Sequence, residues 1–352
     1  MSNKLFDFCI GNPPYQETQV SMDAEGSLKN YAPPVYNVFM EAAIDVAEKV
    51  ELIHPARFLF NAGSTPKAWN EKMLNDPHFK IIHYEEDATK IFANTDIKGG
   101  IAISYHDAQE NFGAIEVFTK YPDLNEILKK VTHDSHFESI MDIVYSRTAY
   151  RLTDVMHKNN PDAINKLSKG HAYDMSSNIM ERLPEIFFED KPDDGNEYIK
   201  MIGRFNNKRS YKYIRKDYVN VVGNMDKFKV LVPQANGNGT FGETISQPMI
   251  EEPGIGNTET FISIGTFDKK EEAQSLLKYI STKFARTLLS VLKVTQNGNK
   301  PVWKYVPLQN FTPESDINWT KSIHEIDLQL YKKYNLSEEE INFIETNVKE
   351  ME

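Results

Sequence analysis

The sequence predicts an α/β fold, with a partial doubly wound sheet followed by a mixed α+β region. Over residues 1–130, short apolar runs alternate with helical patterns, which is the rhythm of strand–helix–strand units. From residue 135 onward that rhythm gives way to short apolar pieces between turn residues. We therefore expect a first domain over 1–130, a second over 135–315 and a helical tail over 316–352.

Each element of the first domain follows from its pattern. Four apolar runs predict strands, namely Lys4–Ile10, Val50–His54, Lys80–Tyr84 and Gly100–Tyr105. Apolar residues at helical spacing between positions 35 and 46 predict one helix, and a second is expected from Thr65 to Leu74. The polar residues 17–31 predict a loop, which we expect to lie over the mouth of a pocket.

The run Gly11-Asn12-Pro13-Pro14-Tyr15 follows the first predicted strand. Two consecutive prolines fix φ and remove two N–H donors, so this turn is stiff. The side-chain oxygen of Asn12 and the carbonyl of Pro13 are hydrogen-bond acceptors that could bind both hydrogens of an exocyclic amino group. Open α/β sheets bind ligands at the carboxyl ends of their strands, where this turn lies. The alternative is an ordinary turn with Asn as a turn former.

Through this motif the chain resembles the N6-adenine DNA methyltransferases of restriction–modification systems. The resemblance continues through Tyr36–Ile44, Leu52–Phe58 and Asp96–Tyr105, which are similar to the later helix, strands and turns of that family. It implies a Rossmann-like methyltransferase sheet, S-adenosylmethionine as methyl donor and a target adenine flipped out of the duplex.

The resemblance also implies roles for individual residues. Asn12, Pro13, Pro14 and Tyr15 would form the catalytic turn, with Tyr15 stacked on the base. A second aromatic residue would stack on the other face of the base; Tyr105 is the candidate by position, and Phe92 is the weaker one. For Tyr105 the alternative is an ordinary aromatic residue on a half-buried strand.

Enzymes of this family bind the donor at a glycine-rich turn that precedes the catalytic motif, whereas only eleven residues precede Asn12 here. The glycine-rich segments Gly237–Gly242 and Gly254–Gly256 do not open a helix inside a strand–helix–strand unit, as such a turn must. We therefore expect another polypeptide, or an upstream segment, to complete the donor pocket.

Basic residues interleaved with aromatic ones predict contacts with nucleic acid in the second domain. The candidates are Lys200, Arg204, Lys208, Arg209, Lys212, Arg215, Lys216, Lys293, Gln296, Asn297, Lys300 and Lys304. The alternation Tyr211-Lys212-Tyr213 favours a strand with one face toward solvent. The resemblance implies a target-recognition domain that binds double-stranded DNA; the alternative is a solvated hairpin without a ligand.

Composition limits the remaining possibilities. The formal net charge is −11, so any DNA contact must depend on local basic patches. No apolar run is long enough to span a membrane, and no secretory segment is visible. Cys9 is the single cysteine, so no disulfide framework exists and a cytoplasmic location is expected. No cysteine or histidine cluster has the spacing of a metal site, and His54 and His83 are expected to be structural.

Other functions stay open at this point. The chain could be a non-catalytic DNA-binding specificity subunit of a restriction complex, or part of a combined restriction endonuclease–methyltransferase. A nuclease or helicase subunit could be a further partner. Methylation of RNA or of protein side chains is another alternative, which the basic second domain disfavours.

Overall fold

A computed structural model of the chain describes residues 4–17, 19–22, 28–31, 33–60, 64–93, 97 and 99–351. It is a mixed α/β structure with several sheets, which confirms the predicted class at that level. The chain divides into two compact units, residues 1–125 and 126–352. No helix of the described ranges is both long enough and apolar enough to cross a membrane.

The first unit contains the predicted strands and helices. Its elements are β1 (Phe6–Gly11), β2 (Gln19–Met22), β3 (Leu28–Tyr31), α1 (Tyr36–Val46), β4 (Ala47–Pro55), α2 (Lys67–Leu74), β5 (Phe79–Glu85) and β6 (Ile101–Asp107). Short 3₁₀ helices occupy Arg57–Phe60 and Ala88–Lys90. The helix α3 (Pro122–Thr132) spans the boundary between the units.

The loop predicted over 17–31 contains two strands instead. β2 and β3 form a two-stranded antiparallel sheet of their own, with Gln19 opposite Tyr31. Residues 18 and 23–27 of the predicted loop lie outside the described residues, as does residue 32 after it. The segment has no apolar run, so periodicity alone does not reveal the pairing.

The main sheet of this unit has the strand order β1-β4-β6-β5. β1 is parallel to β4, and β6 is antiparallel to both β4 and β5. An antiparallel strand inside the sheet differs from an all-parallel doubly wound arrangement. β1 lies at one edge, and no other described strand pairs with its outer side.

One face of this sheet is covered by the two long helices of the first unit. Met40 from α1 and Trp69 and Met73 from α2 pack in one cluster with Val50 and Leu52 of β4. Alternation along the strands therefore places Phe8 and Ile10, which pair with Lys49 and Glu51, on the opposite face. The core of the unit thus lies on the helix side alone.

The second unit is built from short strands followed by helices. Its elements are β7 (Val144–Tyr145), β8 (Arg151–Leu152), α4 (Asp154–Asn159), α5 (Ala163–Lys166), α6 (Ile179–Arg182), β9 (Tyr198–Phe205), β10 (Lys208–Arg215), β11 (Val219–Asn220), β12 (Phe228–Pro233), β13 (Met249–Glu251), β14 (Ile255–Asn257), β15 (Phe261–Phe267), α7 (Lys270–Ser281), α8 (Lys283–Leu289), α9 (Ile323–Lys333) and α10 (Glu338–Asn347).

Two sheets organise the second unit. One has the order β10-β9-β14, and the other has the order β13-β12-β15-β7. The tail predicted over 316–352 belongs to the core of this unit, since Ile326, Leu330 and Ile344 in α9 and α10 are buried. Ser337 and Glu340 form a capping box that begins α10, as Ser-x-x-Glu predicts.

Candidate active site

The Asn12–Tyr15 turn directly follows β1 and is fastened to the start of α1. The carbonyl of Tyr15 accepts a hydrogen bond of 3.1 Å from the backbone N–H of Val35. The Asn12 side chain is exposed, and no hydrogen bond from it to another described residue is present. The turn is thus held by its own prolines and by one backbone bond, while its amide faces solvent.

Tyr15 and Phe92, two of the predicted site residues, lie side by side. Their ring centroids are 6.5 Å apart in an edge-to-face arrangement. Tyr15 also packs against the helix-side core, and burial raises the pKa of its hydroxyl to about 12. That hydroxyl is buried without a hydrogen-bond partner in the described part of the chain. The Tyr15 ring is therefore neutral and is positioned by packing.

Tyr105 lies elsewhere. It pairs with Glu51 in the sheet, so it occupies the face opposite the helix-side core that Tyr15 contacts. Its hydroxyl donates to Asp107 over 3.1 Å, and its ring is 5.9 Å from that of Phe112. The structure brings Phe92 to the turn and does not bring Tyr105 there. Which of the two would stack on a base stays a prediction.

An aromatic cluster in the helix-side core packs next to the turn, through Tyr15. Tyr36, the first residue of α1, stacks on His54 with ring centroids 5.9 Å apart, and Phe58 and Trp69 pack around them. His54 is fully buried; one ring nitrogen lies 2.9 Å from the Ser104 hydroxyl and the other 3.1 Å from the Pro55 carbonyl. Burial lowers the pKa of His54 to about 4, so it stays neutral and structural near pH 7. His83 is exposed on β5.

Two glycines position the start of β6 next to the end of β5. Gly99 and Gly100 have φ of +90° and +80°, and a Cβ at Gly100 would lie 2.5 Å from the Glu85 carbonyl oxygen. The predicted turn therefore needs glycine at position 100 for both conformation and space. Asp96 and Lys98 of the same turn lie outside the described residues.

Neither glycine-rich segment of the second unit fits a methyl donor. The backbone N–H groups of Asn238 and Gly239 donate to the Glu243 carboxylate over 2.9 and 3.2 Å, so an internal anion already uses them. Gly256 lies in β14, and a Cβ there would meet Met201 and Tyr150. These two segments are therefore poor candidates for binding S-adenosylmethionine.

The basic candidates of residues 198–216 fall on the β9–β10 hairpin, whose turn residues Asn206 and Asn207 both have positive φ. Lys200 lies over the rings of Tyr211 and Tyr213, with its Nζ 5.5 and 5.3 Å from their centroids. These three half-buried residues form one cationic and aromatic face of the hairpin. Arg204 and Lys208 are exposed nearby in the hairpin, without an ion pair to a described residue.

Several other candidates on the hairpin already have partners. Arg215 donates two hydrogen bonds to Asp217, and Lys216 lies 3.2 Å from a carboxylate oxygen of Glu197. Arg209 donates to the Gln247 carbonyl over 2.9 Å. Contacts of these side chains with DNA would have to replace or share these bonds.

Two predicted DNA contacts are contradicted by burial. Lys212 is 5% exposed; it lies 3.0 Å from Glu189 and over the ring of Phe205. β10 thus alternates as predicted, with half-buried Tyr211 and Tyr213 on its more exposed side and Lys212 on its buried side. Lys293 is likewise 5% exposed; it forms an ion pair with Glu243 and donates to the Asn236 carbonyl over 2.8 Å.

The remaining candidates lie on and after the polar loop 294–299. Gln296 and Asn297 are exposed, and Asn297 accepts a hydrogen bond of 3.2 Å from the side chain of Gln234. Lys300 and Lys304 have no ion pair with any residue of the described ranges, and Lys304 lies over the Tyr305 ring. Their positions are compatible with a DNA-facing loop, and their role stays a prediction.

The sequence did not reveal which side chains of α1 are buried and which are exposed. Val38 and Phe39 fit a buried helical face by their spacing, yet they are 60% and 46% exposed. Tyr36 and Met40 supply the buried face instead. The signal that could have shown this is the breadth of the apolar stripe on α1, which is wider than one covered face requires.

Comparison with known proteins relates the first unit to methylases. Residues 1–92 match the family model of the Eco57I restriction-modification methylase. An uncharacterized adenine-specific methylase of Mycoplasma pneumoniae is 33% identical over 118 residues, which are 33% of this chain and 26% of that protein. The chain thus spans about a quarter of the curated relative that it matches. These findings confirm the predicted resemblance to the adenine methyltransferases of restriction–modification systems.

Two solved structures show weaker likenesses. The type IIG restriction endonuclease BpuSI has a TM-score of 0.33 and 12% identity, covering 89% of this chain and 48% of its own. The type IIL restriction-modification enzyme MmeI, in complex with DNA, has a TM-score of 0.34 and 8% identity, covering 97% of this chain and 56% of its own. Scores this low do not establish a common fold.

Proposed function

Because its first 92 residues match the restriction-modification methylases, we propose that this chain is the catalytic and target-recognising part of a site-specific DNA adenine-N6 methyltransferase. The observation that carries the proposal is the exposed Asn12 amide on a double-proline turn at the carboxyl end of β1. That turn is anchored to α1 through Tyr15 and Val35. S-adenosylmethionine is the proposed methyl donor.

The turn would act by holding the target amino group. Adenine N6 is a weak nucleophile because its lone pair is delocalised into the ring. The Asn12 side-chain oxygen and the Pro13 carbonyl accept its two N–H hydrogens, which increases electron density on the nitrogen and fixes its direction. Since the prolines hold the turn rigid, the turn loses little conformational entropy when the base binds.

The base itself would be held by an aromatic residue beside the turn. Duplex DNA keeps adenine N6 inside the helix, so the target base must rotate out to reach Asn12. Tyr15 is the proposed stacking residue, and its edge-to-face contact with Phe92 keeps its ring from turning. The position of Phe92 favours it over Tyr105 as the second aromatic contact.

Target recognition is proposed for the second unit. Exposed or half-exposed cations without a carboxylate partner among the described residues are the best phosphate contacts, because no ion pair must be broken first. They are Lys200, Arg204, Lys208, Lys300 and Lys304. The amides of Gln296 and Asn297 can bind base edges, so the loop that carries them is the proposed reader of sequence.

A methyl-transfer assay on mixed-sequence DNA tests the proposal. The chain is incubated with labelled S-adenosylmethionine, alone and with each protein encoded beside it. Asn12→Ala should abolish label transfer while DNA binding persists, and Asn220→Ala, an exposed asparagine on β11, should change neither. DNA binding without methylation in every mixture would instead identify a non-catalytic specificity subunit. Label found only in RNA or protein would refute a DNA substrate.

A further inference from the structure

A polar cavity lies inside the second unit. Its volume is about 110 Å³, which is space for several water molecules or for the edge of one base. Hydrogen-bond acceptors and donors both line it: Glu259 and Asp174 supply carboxylates, while Asn178 and Arg182 supply N–H groups. Such a mixed lining indicates a ligand, because buried polar groups without a partner are rare in folded proteins.

Glu259 is the acceptor of this cavity that lacks a donor. Its side chain is 10% exposed. Its Oε2 accepts from Arg147 over 3.1 Å, whereas its Oε1 is buried without a hydrogen-bond partner in the part of the chain that the structure describes. Burial raises the pKa of this carboxyl group, as expected for a carboxylate that is short of donors. A donor that enters the cavity would satisfy this oxygen and so gain binding free energy.

The second carboxylate of the cavity already has partners. Asp174 lies 3.1 Å from Arg151 and 2.7 Å from the Nδ1 atom of His171. Each acid of the cavity thus has an arginine beside it, so a neutral ligand fits better than a cation. In the described ranges, no group of three or more histidine, cysteine or carboxylate side chains could hold a metal ion.

The donors of the cavity have unused N–H groups. Arg182 donates one bond of 3.0 Å to the Ser168 hydroxyl and has no ion pair with a described residue. The side-chain oxygen of Asn178 accepts from Ser176 over 3.1 Å, which leaves the NH₂ group of Asn178 without an acceptor in the described chain. One free acceptor beside several free donors is complementary to a neutral group that carries an amino hydrogen next to lone pairs. The edge of a base pair is such a group.

Hydrogen bonds connect the cavity to both proposed DNA contacts of the second unit. On one side, the backbone N–H of Asn206 in the hairpin turn donates over 2.8 Å to Glu181, which lies in α6 next to the arginine of the cavity. On the other side, the carbonyl of Thr260, which follows the unpaired glutamate, accepts from the N–H of Gln234 over 2.9 Å. The Gln234 side chain in turn donates to Asn297 of the polar loop. The cavity is therefore close to the β9–β10 hairpin and to the loop 294–299.

We propose that this cavity reads one C·G base pair of the DNA target, with the cytosine amino group donating to Glu259 and the guanine accepting from Arg182. The inference rests on the proposed function, of which it specifies the target recognition. A C·G pair fits better than an A·T pair because guanine presents two adjacent acceptors to the fork of an arginine, while cytosine presents an amino donor alone. A single free carboxylate oxygen and an unpaired guanidinium in one cavity match these groups.

The test is sequencing of the duplexes that the whole chain selects from a randomised DNA library, alone and with each protein encoded beside it. The test variants are Glu259→Gln, which keeps the shape of the side chain, and Arg182→Ala, which is only half-buried. The matched control is Glu340→Gln on α10, because Glu340 is also buried and lies 2.7 Å from a lysine, Lys130. Circular dichroism checks that each variant is folded.

The wild-type chain should select cytosine at one position where Glu259→Gln and Arg182→Ala both lose the preference, while Glu340→Gln keeps the wild-type pattern. Each test variant should bind the selected duplex roughly tenfold to a hundredfold more weakly. A second measurement uses that duplex with a cytosine analogue that lacks the exocyclic amino group. The analogue should weaken binding by the wild-type chain roughly tenfold and cause no further loss with Glu259→Gln, since the same contact is then removed twice.

Three results would overturn the inference: an unchanged selection by folded Glu259→Gln; a changed preference at an A·T position instead; or no loss of wild-type binding when the amino group is missing from any selected cytosine. The proposed function fails separately, if the chain selects a sequence but never methylates it in any mixture, and the base-reading role of the cavity would then stand. Absence of any selected sequence in every mixture would overturn both.

Discussion

At the residue scale, the site depends on side chains whose chemistry is set by burial. His54 packs between Tyr36 and Phe58 with both ring nitrogens close to oxygen atoms. A second proton on this imidazole would place a positive charge inside the core, away from water. A buried neutral histidine under the turn makes the stability of the first unit depend on pH.

Burial lowers the pKa of His54 from 6.5 to about 4, so the unfolded chain binds the extra proton more readily. Stability from this group is therefore present above pH 6.5 and is lost as the pH falls toward 4. The loss between pH 7.5 and 4 should be about 3 kcal/mol. Hydrogen exchange of the β4 amides as a function of pH measures it. His54→Gln should flatten the dependence, and an equally steep loss in that variant would contradict the assignment.

The identity of a residue indicates what its side chain can do chemically, but not which distant residues will pack against it in the fold. The Asn12–Tyr15 turn could be predicted from sequence because it is formed by residues next to each other in the chain, directly after β1. The burial of Lys212 could not, because it results from Glu189 and Phe205, which approach only in the fold. Phe92 likewise reaches Tyr15 from 77 positions away, as their residue numbers show.

At the element scale, apolar runs predicted β1, β4, β5 and β6 together with α1 and α2, because each is longer than a turn and has one clear period. The pairing of β2 with β3 was missed, since that segment mixes polar and apolar residues and has no apolar run. The helical pattern of residues 269–292 forms two helices, α7 and α8, because the Thr282 side chain caps a new start by accepting from the backbone N–H of Ala285. The spacing of apolar residues alone does not show where a capping side chain ends one helix and begins the next.

The loop of residues 237–242 supplies a prediction that separates stability from DNA binding. Lys293 is buried against Glu243, which in turn holds the Asn238 and Gly239 amides. Lys293→Met should lower the free energy of unfolding by about 3 kcal/mol, because it removes the cation that neutralises the largely buried Glu243 carboxylate and leaves only backbone N–H donors to it. Urea unfolding measures this. The matched variant Lys300→Met should leave stability nearly unchanged and weaken DNA binding instead; the opposite pattern would place Lys293 on the DNA.

The β9–β10 hairpin supplies another prediction. Replacing Lys200, Arg204 and Lys208 together with alanine should weaken binding to all DNA sequences and reduce the slope of log K against log salt by about 0.9 for each phosphate that the variant no longer neutralises. Fluorescence anisotropy over a series of salt concentrations measures the slope. The control Lys212→Ala removes a cation that is buried rather than free, so it should lower stability and leave the slope unchanged.

At the scale of the whole molecule, the net charge limits how DNA could be bound. With a net charge of −11, the protein gains no general attraction to DNA, so the proposed DNA binding depends on the free cations of the second unit. In the first unit, Phe6, Phe8 and Ile10 of the edge strand β1 are exposed among the described residues.

The central claim is that the Asn12 turn directs methylation to the amino group of adenine. The most direct measurement is mass spectrometry of nucleosides from DNA that has been incubated with isotopically labelled S-adenosylmethionine and the chain, alone and with each protein encoded beside it. We predict labelled N6-methyldeoxyadenosine with the wild-type chain and with Asn220→Ala, and none with Asn12→Ala. Label on another atom or base, or an unchanged yield with Asn12→Ala, would contradict the claim.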